Sequence, residues 1–248
     1  MKTVISVQHL KKSFSFLTDR PHTLKQVLNQ IARLKFHFGE RKSIDILRDI
    51  SFDVNAGEFV GIMGKNGAGK STLLKLISGI YTPTAGTIST NGIIAPLIEL
   101  GAGFHPELTG YENIFLNASI LGFGKKATES AVNEIIEFSE LQEHIHRPIK
   151  NYSSGMLVRL GFSIATHLEA PTLLVDEVLA VGDLSFQNKC IQKIQSLHQS
   201  GRTIILITHD PQAVRNFCTR CIVINHGVKV FDGNPAQGAA VYEGVNLN

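Results

Sequence analysis

Residues 59–77 read FVGIMGKNGAGKSTLLKLI, and this stretch decides the fold. The apolar run at 59–63 predicts a strand, and the residues from Lys70 predict a helix that ends at Gly79. Between them, residues 64–72 fit the pattern GxxxxGK[ST] in the strand–loop–helix context that this pattern requires. The sequence therefore predicts a phosphate-binding loop on a scaffold of strands and helices.

The chemistry of this loop follows from its residue types. Gly64, Gly67 and Gly69 let the backbone curl so that several N–H groups face one point, and the helix that follows adds its positive end. Lys70 can reach the β- and γ-phosphates of a nucleotide, and the Ser71 hydroxyl can bind Mg²⁺. The other loop residues assigned to nucleotide binding are Lys65, Asn66, Ala68 and Thr72. ATP and Mg²⁺ are the expected ligands.

A second acidic site follows about a hundred residues later, where residues 172–177 read TLLVDE. Carboxyl ends of parallel strands meet at one edge of a sheet, so Asp176 is expected beside the phosphate loop, holding Mg²⁺ directly or through water. Glu177 would then orient the water that attacks the γ-phosphate, or act as its general base. His209 follows another apolar strand and is expected to contact the γ-phosphate. The alternative is that Asp176 and Glu177 are solvated acids at the end of a strand, and that His209 has only a structural role.

The remaining chain alternates between strand and helix patterns. Strands are predicted near residues 3–10, 46–54, 87–89, 93–98, 203–208, 221–225 and 229–231, and helices near 127–139, 154–167, 186–199 and 212–217. Thr109 and Glu112 have the spacing of a capping box that opens a helical stretch. This order predicts a mainly parallel sheet with a helical subdomain inserted at about 104–168.

Composition excludes several classes of protein. In 248 residues, 43% apolar residues and three cysteines argue against disorder, collagen and a disulfide scaffold. The longest uncharged stretch, 76–98, is interrupted by glycines and prolines, so no membrane span is predicted. With no secretory signal, we expect a cytosolic protein with reduced thiols. Cys218 and Cys221 have CxxC spacing without a second pair, which favours packed thiols over a zinc site.

Positive charge is concentrated at the start of the chain. Residues 1–42 carry a net charge of +7 and the remaining 206 residues a net charge of −4. Residues 22–38 also have apolar side chains at three- and four-residue spacing, which predicts an amphipathic helix. The basic region can meet an anionic membrane or nucleic acid, or simply be solvated, and the helix can pack on its own domain or on a partner.

The order of the motifs resembles that of ABC-transporter ATPase subunits: GKNGAGKST, then YSSGM at 152–156, LLVDE at 173–177, Asp183 and His209. The resemblance covers residues 4–231. It implies an α/β fold in one domain, 1–248, with a P-loop NTPase core, a mainly parallel sheet, an antiparallel β subdomain and an inserted helical subdomain.

The stretch YSSGM matches the LSGGQ signature of that family only in part. Ser153 and Gly155 fall on its serine and second glycine, whereas Tyr152, Ser154 and Met156 depart from it. The resemblance implies a head-to-tail homodimer in which each ATP lies between one phosphate loop and the other subunit's signature. The nucleotide-site residues that it implies are Ser153, Ser154, Gly155 and Asp183.

Where the sequence departs from the general family pattern, it resembles the ATPase subunits that export lipid-linked polysaccharides such as O-antigen, capsule or teichoic acid. The stretches concerned are YSSGM, LIELGAGFHPELTGYENI at 97–114 and DEVLAVGD at 176–183. The resemblance implies a peripheral subunit on the cytoplasmic face of the bacterial inner membrane, partnered by an ABC-2-type permease that carries the glycan. The alternative is a soluble ABC ATPase that acts on nucleic acid or ribosomes. Such proteins usually have coiled-coil insertions or a second cassette, so no nucleic-acid partner is predicted.

Four further expectations come from this resemblance. Glu99 is the candidate for a position that is usually Gln, where it would bind Mg²⁺ or position water. Phe14 is the candidate for stacking on adenine and Phe16 the second choice, with core packing as the alternative for both. The insertion at about 17–42 is expected to contact headgroups or the permease. The 39 residues after His209 are too few for a C-terminal carbohydrate-binding domain.

Overall fold

The computed structural model describes residues 2–17, 41–97, 100–176 and 183–246, and elements within these ranges are numbered here in chain order. The strands are β1 (Thr3–Leu17), β2 (Arg41–Asn55), β3 (Phe59–Met63), β4 (Ala85–Thr90), β5 (Ile94–Leu97), β6 (Thr172–Asp176), β7 (Thr203–Ile207), β8 (Arg220–Asn225) and β9 (Val228–Gly233). The helices are α1 (Lys70–Ile77), α2 (Gly110–Ile120), α3 (Lys125–Ser139), a short 3₁₀ turn (Ile149–Asn151), α4 (Ser154–His167), α5 (Leu184–Gln199), α6 (Pro211–Phe217) and α7 (Pro235–Asn246).

The strands form two sheets, which confirms the predicted fold class. The larger sheet has the order β5-β6-β7-β3-β8-β9, and its strands are parallel except β9, which pairs antiparallel with β8. The smaller sheet, β2-β1-β4, is antiparallel. Every residue of β3 and β7 is buried, as expected for central strands covered on both faces.

Four apolar clusters among the described residues hold these layers together, and three of them surround the helices next to the site. The first packs α1 between the two sheets and contains Leu10, Leu47 and Leu73. The second covers the other face of the large sheet with α4 and α5 and contains Phe59, Phe162 and Phe186. The third joins α2, α3 and α4 to one another and contains Ile114, Ile135 and Leu160. The helix that follows the phosphate loop is therefore fixed between the sheets, while α2–α4 have a core of their own.

The predicted capping box begins α2. The Thr109 hydroxyl accepts a hydrogen bond from the Glu112 amide at 3.2 Å, and the Glu112 carboxylate accepts one from the Thr109 amide at 2.8 Å. The predicted hairpin at His226 and Gly227 is also present, with φ angles of 47° and 77° at its turn. Both local patterns were correctly predicted because they depend on neighbouring residues alone.

The prediction that β1 ends near Leu10 is wrong. The strand continues to Leu17, pairing Phe16 with Lys42 and Leu17 with Arg41 across the ladder with β2. Serine and phenylalanine alternate at 13–16, so one face of the strand carries the serines and the other the phenylalanines. This alternation is typical of a strand and continues β1 beyond Leu10. The ends of the predicted insertion at 17–42 are therefore ladder residues. Residues 18–40, with the helix predicted at 22–38, lie outside the described residues.

Helix α7 was not predicted. Asn234 caps it by accepting hydrogen bonds from Ala236 N and Gln237 N at 2.9 and 3.3 Å. A Cβ at Gly238 would lie 2.5 Å from Cys221 Sγ, so this glycine allows the helix to pack closely on β8. The sequence of α7 lacks the periodic large apolar residues that would have indicated a helix. Helix α1 ends at Ile77, two residues before Gly79, where the sequence predicted its end.

Candidate functional site

Three neighbouring strands bring the predicted site residues to one edge of the large sheet. Strands β6, β7 and β3 lie side by side and are parallel. Asp176, the last residue of β6, lies opposite Ile207 of β7, which in turn lies opposite Ile62 of β3. The phosphate loop leaves β3 just beyond this point, and the exposed His209 follows β7 by two residues. The carboxylate, the histidine and the loop therefore share one edge.

Glycines give the phosphate loop its shape. Gly67 and Gly69 have φ angles of 80° and 101°, in the left-handed region that favours glycine. Gly69 is also the N-cap of α1, and within the described part of the chain no side chain caps this helix. The first N–H groups of α1 are thus directed toward the loop, as in a helix that binds an anion.

The loop and α1 form one side of a pocket of about 260 Å³. Asp176 lines it from β6, and Ile46 lines it from β2. The remaining lining residues are Asn66, Gly67, Gly69, Lys70, Ser71 and Thr72. Ile46 was not predicted, since the sequence has no signal that places this strand beside the loop.

Lys70 is buried and holds the loop closed from within. Its Nζ donates hydrogen bonds to the Gly64 and Lys65 carbonyl oxygens at 2.6 and 3.1 Å, while the Ala68 amide donates to the Lys65 carbonyl at 3.0 Å. Burial lowers the pKa of Lys70, and the charge of Asp176 opposes this. Burial likewise raises the pKa of Asp176, against the charges of Lys70 and Lys75. Gly64, Lys65 and Ala68 thus shape the loop around the ammonium group.

The donors in the pocket suit Mg²⁺. The exposed Ser71 hydroxyl and the half-buried Asp176 carboxylate are hard oxygen ligands, and both residues line this pocket. In the ranges that the structure describes, no three His, Cys, Asp or Glu residues cluster as a metal site, and Mg²⁺ needs no such cage when phosphates supply further ligands. Glu177 and Glu99, the other predicted carboxylates, lie outside the described residues.

The signature residues begin α4, away from this pocket. Ser153 is the N-cap of α4, and its hydroxyl accepts a hydrogen bond from the Met156 amide at 3.2 Å. Ser153 and Ser154 are exposed and Gly155 is half-buried. Ser153, Ser154 and Gly155 are absent from the described residues that line the loop pocket. The helix end is accessible to a ligand held by another molecule.

Asp183 is the N-cap of α5. Its Oδ1 accepts a hydrogen bond from the Phe186 amide at 2.9 Å, and its Oδ2 lies 3.2 Å from an Nη of Arg159 on α4. Sequence analysis did not single out Arg159, because nothing in its local pattern separates it from a solvated helix residue.

Phe14 lies in the β1–β2 ladder near the loop pocket. It is opposite Ile44, two residues from the pocket residue Ile46, whereas Phe16 is opposite Lys42. The Phe14 ring packs edge-on against Tyr81 with a centroid distance of 5.4 Å, and is 37% exposed. Partial exposure near the pocket leaves Phe14 a candidate for base stacking.

No helix in the described ranges is both long enough and apolar enough to span a bilayer. A family profile described as ABC transporter matches residues 47–180. The chain is 45% identical over 230 residues to an O-antigen export system ATP-binding protein, RfbB, of Klebsiella pneumoniae, covering 92% of this chain and 93% of that protein. It is 38% identical to a teichoic acids export ATP-binding protein, TagH, of Staphylococcus saprophyticus, covering 92% and 83% of the two chains.

Solved structures share the fold. The dimeric ATP-binding cassette MJ0796 in a post-hydrolysis state with ADP and Pi has a TM-score of 0.72 at 20% identity, covering 93% of this chain and 98% of that one. An ATP-binding subunit of an ABC transporter has a TM-score of 0.73 at 23% identity, covering 93% and 90%. The profile match and the long alignments to relatives, on this fold, show that the chain belongs to the ABC transporter family.

Proposed function

We propose that this chain is the ATP-hydrolysing subunit of an exporter that moves a lipid-linked polysaccharide across the bacterial inner membrane. As a member of the ABC transporter family it binds and hydrolyses ATP. The observation that carries the proposal is the pocket in which the phosphate loop meets Asp176, in a chain with 45% identity to an O-antigen export ATP-binding protein. The polysaccharide is assigned from relatives named for O-antigen and teichoic acid export.

The residues of the proposed ATP site have separate roles in hydrolysis. On binding ATP, the Lys70 ammonium group exchanges the carbonyl oxygens of Gly64 and Lys65 for phosphate oxygens, and the N–H groups of the loop hold the phosphates. Ser71 and Asp176 would hold Mg²⁺, which supplies neutralisation of phosphate charge when bound. Glu177 orients the attacking water, and His209 contacts the γ-phosphate.

A second copy of the chain completes the site. Ser153, Ser154 and Gly155 begin α4 with exposed or half-buried groups, so they can meet the γ-phosphate of an ATP held by another copy. The dimeric cassette with the same fold supports this arrangement. ATP then joins the two copies, and its hydrolysis releases them.

The permease is proposed to dock in a groove of about 360 Å³ beside the helical subdomain. Its lining comes from two parts of the chain, which are called its walls: residues 100–103 with Ile120, and Ile80 with Ile94. Ile80 and Ile120 are 56% and 60% exposed, so two large apolar side chains that line the groove are open to solvent. Since the relatives are subunits of export systems, a cytoplasmic segment of an ABC-2-type permease is the proposed occupant.

Cell fractionation tests the proposed function. We expect the chain to sediment with membranes and to co-purify with a multi-span protein after detergent extraction. The variant Lys70→Ala should abolish display of the surface polysaccharide while the chain stays membrane-associated. Release by moderate salt together with nucleic acid, or unchanged surface polysaccharide in the variant, would contradict the proposal.

The ATP site is tested on the purified chain. Lys70→Ala removes a charged donor, which should weaken ATP binding by about 2 kcal/mol, or roughly thirtyfold in Kd, as measured by calorimetry. Lys126→Ala, on the exposed first turn of α3, is the matched control and should leave Kd unchanged. Equal affinity in both variants would show that Lys70 does not contact ATP.

A further inference from the structure

A cluster of charged side chains joins the end of α3 and the start of α5 to the middle of α4. Arg159 of α4 is at its centre and pairs with Glu140, the C-cap of α3, and with Asp183, the N-cap of α5. Lys189 of α5 lies 3.1 Å from the second oxygen of Glu140. The Arg159 guanidinium also lies over the Phe186 ring, with its central carbon 4.7 Å from the centroid. These four charged residues are called the charge cluster below.

Arg159 is the enclosed member of the charge cluster, whereas its carboxylate partners Glu140 and Asp183 are 44% and 64% exposed. The Arg159 side chain is 20% exposed, compared with 50% and 65% for the two partners of the Lys150–Glu107 pair. A hydrogen bond from Lys189 lowers the pKa of Glu140, partial burial opposes this, and the Arg159 guanidinium lowers it further. Loss of Arg159 would leave the Glu140 and Asp183 carboxylates without the cation that they share, and would remove the guanidinium from the face of the Phe186 ring.

The position of Arg159 links two parts of the proposed ATP site. Ser153, which begins α4, is six residues away, or about 9 Å along the helix axis. Asp183 begins α5 and follows Asp176 by seven residues. The helix that presents the signature is thus tied to the segment that follows the acidic strand.

We propose that Arg159 is a positioning residue that, through Asp183, sets the orientation of the α4 N-terminus toward the ATP held by the other copy. The inference rests on the proposed function, since it requires the shared site. Arg159 is not among the described residues that line the loop pocket. Its role is to make the signature of one copy respond to the segment beside that copy's own bound nucleotide.

The test uses the full chain with Glu177→Gln, which should slow hydrolysis so that the ATP-bound dimer accumulates. Dimer dissociation constants are measured by sedimentation with Mg²⁺ and ATP. Arg159→Gln and Asp183→Asn should each weaken the dimer on the order of tenfold, and the double variant no more than either alone, since contacting residues are coupled. Asn caps helices as well as Asp does, so Asp183→Asn preserves the start of α5. ATP affinity of the Arg159→Gln monomer should be unchanged, because Arg159 is not among the residues that line the loop pocket.

Two further variants separate positioning from stability. Arg215→Gln breaks the Arg215–Glu243 pair between α6 and α7, at 2.7 Å, and should leave the dimer constant unchanged. Arg159→Lys retains the charge without the planar fork and should recover part of the dimer affinity. A merely structural role would lower the melting temperature of Arg159→Gln and leave its dimer constant equal to the parent's, which overturns the inference.

The remaining outcomes are equally decisive. Additive losses in the double variant would show that Arg159 does not act through Asp183, and would overturn the inference. If the Glu177→Gln parent itself stays monomeric with ATP, the shared-site part of the proposed function fails. If the parent dimerises and the variants dimerise equally well, the proposed function stands and only this inference is overturned.

Discussion

Gly64 lies where the phosphate loop passes closest to the sheet. A Cβ at this position would be 2.4 Å from the Ile224 carbonyl oxygen, well inside van der Waals contact. Ile224 belongs to β8, which is hydrogen-bonded on one side to β3 and on the other to β9, so its backbone cannot easily withdraw. The glycine is needed here for close packing, in addition to the curvature that the motif itself requires.

Gly64→Ala should therefore destabilise the chain and distort the loop. Overpacking against a fixed backbone costs about 1–3 kcal/mol in the free energy of unfolding, which denaturant titration can measure. Gly124→Ala is the control, because Gly124 has a φ of −76° and open space around the added Cβ. Equal stability of the two variants would contradict the packing argument.

The three cysteines should be inert in the folded protein. Burial raises the pKa of Cys190, Cys218 and Cys221 to about 12 each. At pH 8 about one thiol in ten thousand would then be ionised, and the thiolate is the reactive form. We expect negligible reaction with a disulfide reagent in buffer and three equivalents after unfolding in guanidinium. Rapid stoichiometric labelling of the native chain would refute this.

At the scale of elements, two asparagines of α2 hold the loop that forms one wall of the groove. Asn113 is fully buried, and its side chain accepts from the His105 amide at 2.7 Å while donating to the Thr109 carbonyl at 2.8 Å. Asn117 donates to the Ala102 carbonyl at 3.0 Å. Residues 101–109 are thereby fixed to the helical subdomain, and a displacement of α2 would move this wall with it.

Asn117→Leu tests this attachment. The substitution keeps the number and branching of the side-chain heavy atoms but leaves the Ala102 carbonyl without its donor, so residues 101–109 should exchange amide hydrogens faster. Hydrogen exchange with mass spectrometry measures this directly. ATP hydrolysis by the purified chain should be retained, since Asn117 lies outside the loop pocket. Asn216→Leu on the exposed face of α6 is the control, and equal exchange in both variants would refute the attachment.

Elements with local signals were predictable from sequence, whereas contacts between distant segments were not. Strand β3 and helix α4 were predicted at the boundaries that the structure gives, because their apolar runs and caps are local. Strand order predicted that Asp176 would lie beside the phosphate loop. It did not predict that Ile46 would line the same pocket, or that Arg159 would pair with Asp183. Ile46 reaches the pocket because β2 packs over the phosphate loop, and Arg159 reaches Asp183 because α4 and α5 converge. These contacts between β2 and the loop, and between α4 and α5, join distant segments and leave no periodic pattern in the sequence.

At the scale of the whole molecule, the two walls of the groove belong to parts of the chain with separate cores. Of the groove residues, Leu121 packs against the apolar cluster of α2–α4, whereas Ile94 packs against the cluster between the sheets. Permease contact in the groove would therefore connect the helix after the phosphate loop with the helix that begins at Ser153. In the proposed dimer these are the two elements that contact ATP, so a change at the nucleotide would alter the groove.

The register of the small sheet allows a direct test of the segment 18–40. Leu17 and Arg41 are ladder partners, so a two-residue Asn-Gly turn can replace this segment without shifting the strands. The segment carries four basic and two acidic residues. We expect the shortened chain to keep its melting temperature and ATPase activity, but to bind vesicles with anionic lipid less well and to support less polysaccharide export.

A chain with residues 18–40 scrambled is the matched control, because it retains the net charge while losing the amphipathic pattern. Export lost in both variants would assign the role to the apolar stripe, as expected if residues 22–38 contact lipid or permease as a helix. Export retained by the scrambled chain would assign it to charge. Unchanged vesicle binding and export in the shortened chain would instead remove the membrane contact from this segment, and leave the groove as the proposed contact of the molecule with its permease.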